Sequence, residues 1–157
     1  MSEMTLLLSW IHWGQLITQK LALVGSGLFA GAVLYRAAYA NPLRAAPGLS
    51  LAAALKQFRA ASPDADRMLA ALACATALAA ATASLSGAGL AWLIGALAEG
   101  LAGLYLITAI RRTRRALAVT DPAADALAEA WLARWHGQQR WLAIHAAWVP
   151  WLLAFQV

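Results

Sequence analysis

This sequence predicts an all-α fold, an integral membrane four-helix bundle with an interfacial N-terminal segment, and three observations lead there. The first is composition: 62% of the 157 residues are hydrophobic and 12% are charged, against about 25% charged in a soluble domain. The second is the recurrence of long apolar stretches, at residues 20–40, 68–86, 89–110 and 140–155, each near the roughly 20 residues a helix needs to cross a bilayer. The third is the placement of the cations. Of twelve basic residues, only Lys20 lies on the entry side of the first stretch; the others sit in or beside the first and third connections. By the positive-inside rule those connections face the cytoplasm and both termini face outward, periplasmic in a bacterial inner membrane. The length allows one domain, residues 1–157.

The elements follow in order. Residues 6–19 are apolar but carry Ser9, His12, Gln15 and Gln19, with Trp10 and Trp13 suited to a membrane interface. A helix spanning this segment and the first stretch would exceed the roughly 30 Å hydrocarbon core. The segment therefore lies in the interface or projects above it, with Gly14 as a bend. Gly27 and Gly31 share one helix face at the GxxxG spacing and predict a close helix contact. Asn41-Pro42 ends the helix, because proline disfavours helical geometry in the residue before it, and Pro47-Gly48 breaks the chain again. Residues 51–60 form a short amphipathic helix with Leu51, Leu55 and Phe58 on one face.

Ser62-Pro63-Asp64 starts the next helix: a serine cap, a proline in the first turn, and acids at the positive helix end. Its alanine-rich span lets neighbouring backbones approach closely, which places it centrally. Cys74 within it is expected to be a buried, inert thiol. Residues 86–89 leave room only for a tight turn, so the second and third spans are antiparallel neighbours. The third span ends at Arg111-Arg112-Thr113-Arg114-Arg115, a tract that directly after an apolar helix fixes topology rather than binding nucleic acid. Asp121-Pro122 opens the last helix, Leu127, Trp131 and Trp135 form one apolar stripe, and Pro150 introduces a kink.

Glu99 stands alone as a charge in the middle of the third span. A carboxyl at that depth costs roughly 3 kcal/mol or more, so it must face other helices or a cavity. It is either a proton-handling or ligand-binding group, or polar glue between helices. His145, Tyr105, Tyr35 and Arg36 are the other polar side chains expected to face the interior. His136 and His145 lie on opposite faces of one helix and cannot share a metal. The chain carries no HExxH, Cys–His zinc or c-type haem motif and no GxSxG elbow, so no metal site is expected.

The run Gly27-Leu28-Phe29-Ala30-Gly31-Ala32-Val33-Leu34-Tyr35 followed by Asn41-Pro42 resembles the first span of the anthrone-oxygenase-like membrane proteins, small four-helix proteins mostly of unknown function. Trp92-Leu93-Ile94-Gly95-Ala96-Leu97, Arg114-Arg115-Ala116-Leu117 and the Trp131/Trp135 stretch are similar as well, with Asn41, Pro42 and Trp135 the matching positions. The resemblance implies metal-free oxidation of a flat, apolar phenolic or polycyclic substrate. In that reading Glu99 is the general base removing an activated C–H proton, and His145 or Tyr105 assists. The alternatives are an accessory or structural subunit of a larger membrane complex, and a site for pigment, haem or quinone, so the cofactor is open. The expected partners are the lipid bilayer, an apolar small molecule, and a homo-oligomer or larger complex, without nucleic acid.

Overall fold

The computed structural model describes residues 3–39, 50–60, 64–120 and 125–156, and among these there is no strand. Among the described residues six α-helices follow one another: α1 (Glu3–Tyr39), α2 (Leu51–Ala60), α3 (Asp64–Ala83), α4 (Leu90–Tyr105), α5 (Arg111–Val119) and α6 (Asp125–Ala154). A widened π turn over Leu106–Ile110 joins α4 to α5 with helical backbone on both sides, so the two form one helix, Leu90–Val119. Asn41-Pro42, Pro47-Gly48, Ser62-Pro63 and Asp121-Pro122 lie outside the described residues.

Three helices are long and apolar enough to cross a bilayer: Leu8–Ala38, Asp64–Ala88 and Leu90–Val119. The fourth expected span lies within α6, which is not among them. Gln138, Gln139, Arg140 and His145 dilute its apolar character, although the helix is unbroken through Gly137 and has Pro150 inside it. The N-terminal segment departs from expectation more clearly. Helix α1 is continuous for 37 residues, about 55 Å at about 1.5 Å per residue. Gly14 does not break it, so residues before Lys20 extend the axis.

Helix α1 packs against α3 and α6, and α4 packs against the same two, which leaves α1 and α4 facing each other across the interior. Helix α2 lies over α5 and α6 at one end. Acids in the first turn of α3, Asp64 and Asp66, match the positive end of its dipole. Between Ala83 and Leu90 the chain reverses at Gly87 (φ 95°) and Gly89 (φ 99°), conformations that glycine adopts without a Cβ clash.

The interior divides into two apolar clusters. One gathers Phe29, Val33, Leu55, Phe58, Leu106, Ile110, Leu132 and Trp135 toward the α2 end. The other gathers Ala22, Ala80, Ala83, Trp92, Val149 and Leu153 toward the Gly87 turn. The outside is equally apolar, with Trp10, Val24, Leu28, Leu78, Leu97, Leu101, Ile144 and Trp151 exposed. Two expectations fail on this surface. Cys74 is exposed rather than buried. Gly27 and Gly31 also face outward, with nothing within 4 Å of a Cβ placed on either. The close approach belongs instead to Gly25, whose added Cβ would run into the Thr76 hydroxyl on α3.

That contact yields a directional test. Gly25→Ala is expected to destabilise the fold by about 1–3 kcal/mol, the usual cost of overpacking. Gly27→Ala, in open space, should be neutral or stabilising by up to about 1 kcal/mol through helix propensity. Adding Thr76→Ala to Gly25→Ala should restore most of the loss. Thermal unfolding in detergent measures all three, and equal behaviour of Gly25→Ala and Gly27→Ala would refute the contact.

Candidate functional site

Glu99 lies where the two apolar clusters meet and is 1% exposed. The Ser26 hydroxyl, itself fully buried, donates to Glu99 Oε1 at 2.7 Å. Because Ser26 is on α1 and Glu99 on α4, this bond crosses the diagonal of the helix packing. Small neighbours permit the reach: Ala22, Ala30, Ala98 and Ala102 are buried around it. Glu99 Oε2 is buried without a hydrogen-bond partner among the described residues, and so is Trp92 Nε1, two helical turns earlier on the same face of α4.

His145 and Tyr105 stand to one side of this pair. His145 Nε2–H donates to the Ala98 carbonyl oxygen at 3.0 Å, because a carbonyl can only accept. In the neutral ring that fixes the proton on Nε2. The imidazole stacks on Trp141 (centroids 5.0 Å apart, 9° between planes) and meets Trp148 edge-on at 5.9 Å. Tyr105 packs on the other side of Trp141 at 4.7 Å. The result is an aromatic ladder of Tyr105, Trp141, His145 and Trp148, half-buried to exposed along the α4–α6 seam. It brings Tyr105 and His145 to one indole, while the Glu99 side chain reaches toward α1. Of the remaining interior candidates, Tyr35 is exposed on α1. His12 is exposed far along the same helix.

Sequence reasoning missed a second constellation. The Asp66 carboxylate accepts from Arg36 Nη1 through Oδ1 and from Arg114 Nη1 through Oδ2, the latter at 3.0 Å. The side chains of Arg36, Asp66 and Arg114 are 15%, 10% and 14% exposed. The Arg36 guanidinium lies over the Trp135 ring at 5.7 Å and that of Arg114 over the Phe58 ring at 5.4 Å. Phe58 and Trp135 then meet edge to face at 5.0 Å. Five side chains from α1, α3, α5, α2 and α6 thus close a ring, and both flat cations are held by an acid and an aromatic face. Sequence reading counted the acids at this helix start only toward the helix dipole and did not single out Asp66; the signal that could have found it was an acid placed to meet Arg36 and the Arg111–Arg115 tract at the same end.

Beside the ring opens a cleft of about 490 Å³ between α3 and the Leu106–Ala118 segment. No group of three or more His, Cys, Asp or Glu able to hold a metal occurs among the described residues. Comparison of the chain with protein-family models, with curated proteins and with solved structures gives no match. The likeness to anthrone-oxygenase-like proteins therefore rests on the short motifs quoted above.

The ring depends on Asp66, the acid both arginines share. Asp66→Ala leaves two largely buried guanidiniums without their shared anion and should destabilise by about 3–5 kcal/mol. Asp64→Ala removes an exposed carboxylate paired with Arg67 at 3.1 Å and should cost less than Asp66→Ala, since an exposed pair is worth about 1 kcal/mol at most. Thermal or denaturant unfolding of the two variants side by side checks the difference.

Proposed function

We propose that this chain is an integral membrane protein, a four-helix bundle spanning with α1, α3, the Leu90–Val119 helix and α6, and that it serves as a non-enzymatic accessory subunit packing against other membrane helices. The observation that carries this reading is the outward turn of Gly27 and Gly31. A GxxxG face lets a partner backbone approach closely, and within this chain nothing occupies it. Glu99 fits the same reading: its carboxyl is engaged by Ser26 inside the protein and acts as glue between α1 and α4. The apolar exterior supports insertion, since in lipid such residues need no cover. The cations around Arg36, Arg111, Arg112, Arg114 and Arg115 support a cytoplasmic α2 end and outward, in a bacterium periplasmic, termini.

A second reading is favoured by one atom. Glu99 Oε2 is buried with no hydrogen-bond partner among the described residues, which costs about 1–3 kcal/mol for a polar group and is how a reacting carboxyl would be kept. In this reading Glu99 abstracts a proton from a flat apolar substrate in an anthrone-oxygenase-like oxidation, and dioxygen is the oxidant, one of its atoms entering the substrate carbon as the new carbonyl and the other leaving as water. His145 and Tyr105 assist from the neighbouring aromatic ladder.

Three measurements bear on these proposals. For topology, the native thiol is first removed as Cys74→Ser. A membrane-impermeant maleimide should then label Met4→Cys in intact cells and miss Val119→Cys, both at exposed positions; the reverse pattern sinks the orientation. For function, the protein extracted from its native membranes in mild detergent should run larger than its 16.6 kDa chain in a single micelle. Gly27→Leu/Gly31→Leu should return it to that size. Oxygen uptake with an anthrone that vanishes in a folded Glu99→Gln variant would instead establish the enzymatic reading.

A further inference from the structure

The cleft beside the arginine ring has two unlike halves. Toward the middle of the Leu90–Val119 helix it is walled by Ala70, Leu106 and Ile107; toward the end of that helix it is walled by Arg111, Arg114 and Arg115. Helical phase produces the split. Ile107 lies in the π turn, Arg111 and Arg115 follow it one α turn apart, and all three line the cleft, so an apolar wall passes directly into a cationic one. Arg112 is exposed but is not part of the lining.

The cations differ in what they already hold. Arg114 is bound to Asp66, the acid in the lining, and Asp66 is shared with Arg36. Arg67, also at the rim, is paired with Asp64. No ion pair joins Arg111 or Arg115 to an acid among the described residues, and both side chains are exposed. Asp66 and Asp64 are thus engaged by other arginines, and among the described residues no ion pair compensates the two guanidiniums that line the opening. Guanidinium forks match phosphate oxygens in geometry and charge.

We propose that this cleft is a binding site for one anionic phospholipid. Its phosphate is held by Arg111 and Arg115, and an acyl chain lies along Ala70, Leu106 and Ile107. The proposal rests on the membrane reading above, in which the arginine end of the Leu90–Val119 helix lies at the cytoplasmic leaflet, where anionic lipids attract basic residues. A free phosphate would satisfy the arginines and leave the apolar wall unused. A zwitterionic lipid would bring its own cation to two arginines. Charge and shape together select an acidic headgroup with a tail.

The test uses the full-length chain in mixed micelles, with phosphatidylglycerol and phosphatidylcholine of equal chain length at equal concentration, read by native mass spectrometry. A single phosphatidylglycerol adduct should be preferred by about 25-fold, about five-fold for each uncompensated arginine. Arg111→Ala/Arg115→Ala should abolish the preference and Arg112→Ala should leave it intact. Ile107→Trp, which fills the apolar half without changing charge, should lose the adduct while the thermal transition stays cooperative. Equal binding of the two lipids, or equal loss from Arg112→Ala, overturns the site in favour of general charge attraction. Displacement of the lipid by glycerol phosphate at matching concentration overturns it in favour of a plain phosphate site. Alkaline carbonate extraction of the expressing membranes is run in parallel. Release of the protein there defeats the membrane reading, whereas retention with no lipid preference defeats this site alone.

Discussion

Asp66 holds two guanidiniums that would otherwise be stranded, and the placement of five helices follows from that one carboxylate. Burying an ion pair gains little over a well-packed apolar contact, but breaking one after burial is expensive. The arrangement is therefore better understood as a constraint than as a source of stability. Arg36 reaches Asp66 from the last turn of α1, and Arg114 reaches it from α5. Each guanidinium also covers an aromatic ring, and the two rings touch. Because α2 contributes Phe58 and α6 contributes Trp135, neither helix can slide along its neighbours without opening the ring.

With that end fixed, the remaining polar contacts of the interior become intelligible. Ser26 and Glu99 meet at a level where both helices carry small residues. The pair marks the boundary between a cluster rich in large side chains and one rich in alanine. On the Gly87 side, backbones approach until Gly25 meets Thr76 and Gly95 meets Leu153, where an added Cβ would come within 2.7 Å of a leucine methyl. Packing is thus by volume at one end and by proximity at the other.

Much of this was legible in the residues. Apolar length located α3 and the Leu90–Val119 helix, because a run of alanine and leucine with one charge admits few other conformations in bulk. The Leu51–Ala60 helix followed from the spacing of Leu51, Leu55 and Phe58, of which Leu55 and Phe58 are buried. The burial of Glu99 was legible too, since an isolated acid in an apolar run has to turn inward. What could not be read was phase between helices. Gly25, Gly27 and Gly31 look alike in a sequence, and only the neighbouring α3 decides that Gly25 is the one in contact. Asp66 likewise looks like an ordinary helix-start acid until α1 and α5 bring their arginines to it. Helix ends are overruled by continuity: the arginine tract reads as the stop of a span, yet arginine is a good helix former and the helix runs on to Val119.

The π turn at Leu106–Ile110 gives that continuity a geometric consequence. A π turn takes in about one residue more than an α turn, so everything beyond it is rotated by about 100° relative to an unbroken helix. It works as an angular offset between two halves of one rod. Glu99, before the offset, is aimed across the interior at α1; Arg114, after it, is aimed at Asp66 on α3. Closing the turn to ordinary α geometry with the same residues would put its two ends about 100° out of azimuth. The helix could then satisfy Ser26 or Asp66, but not both.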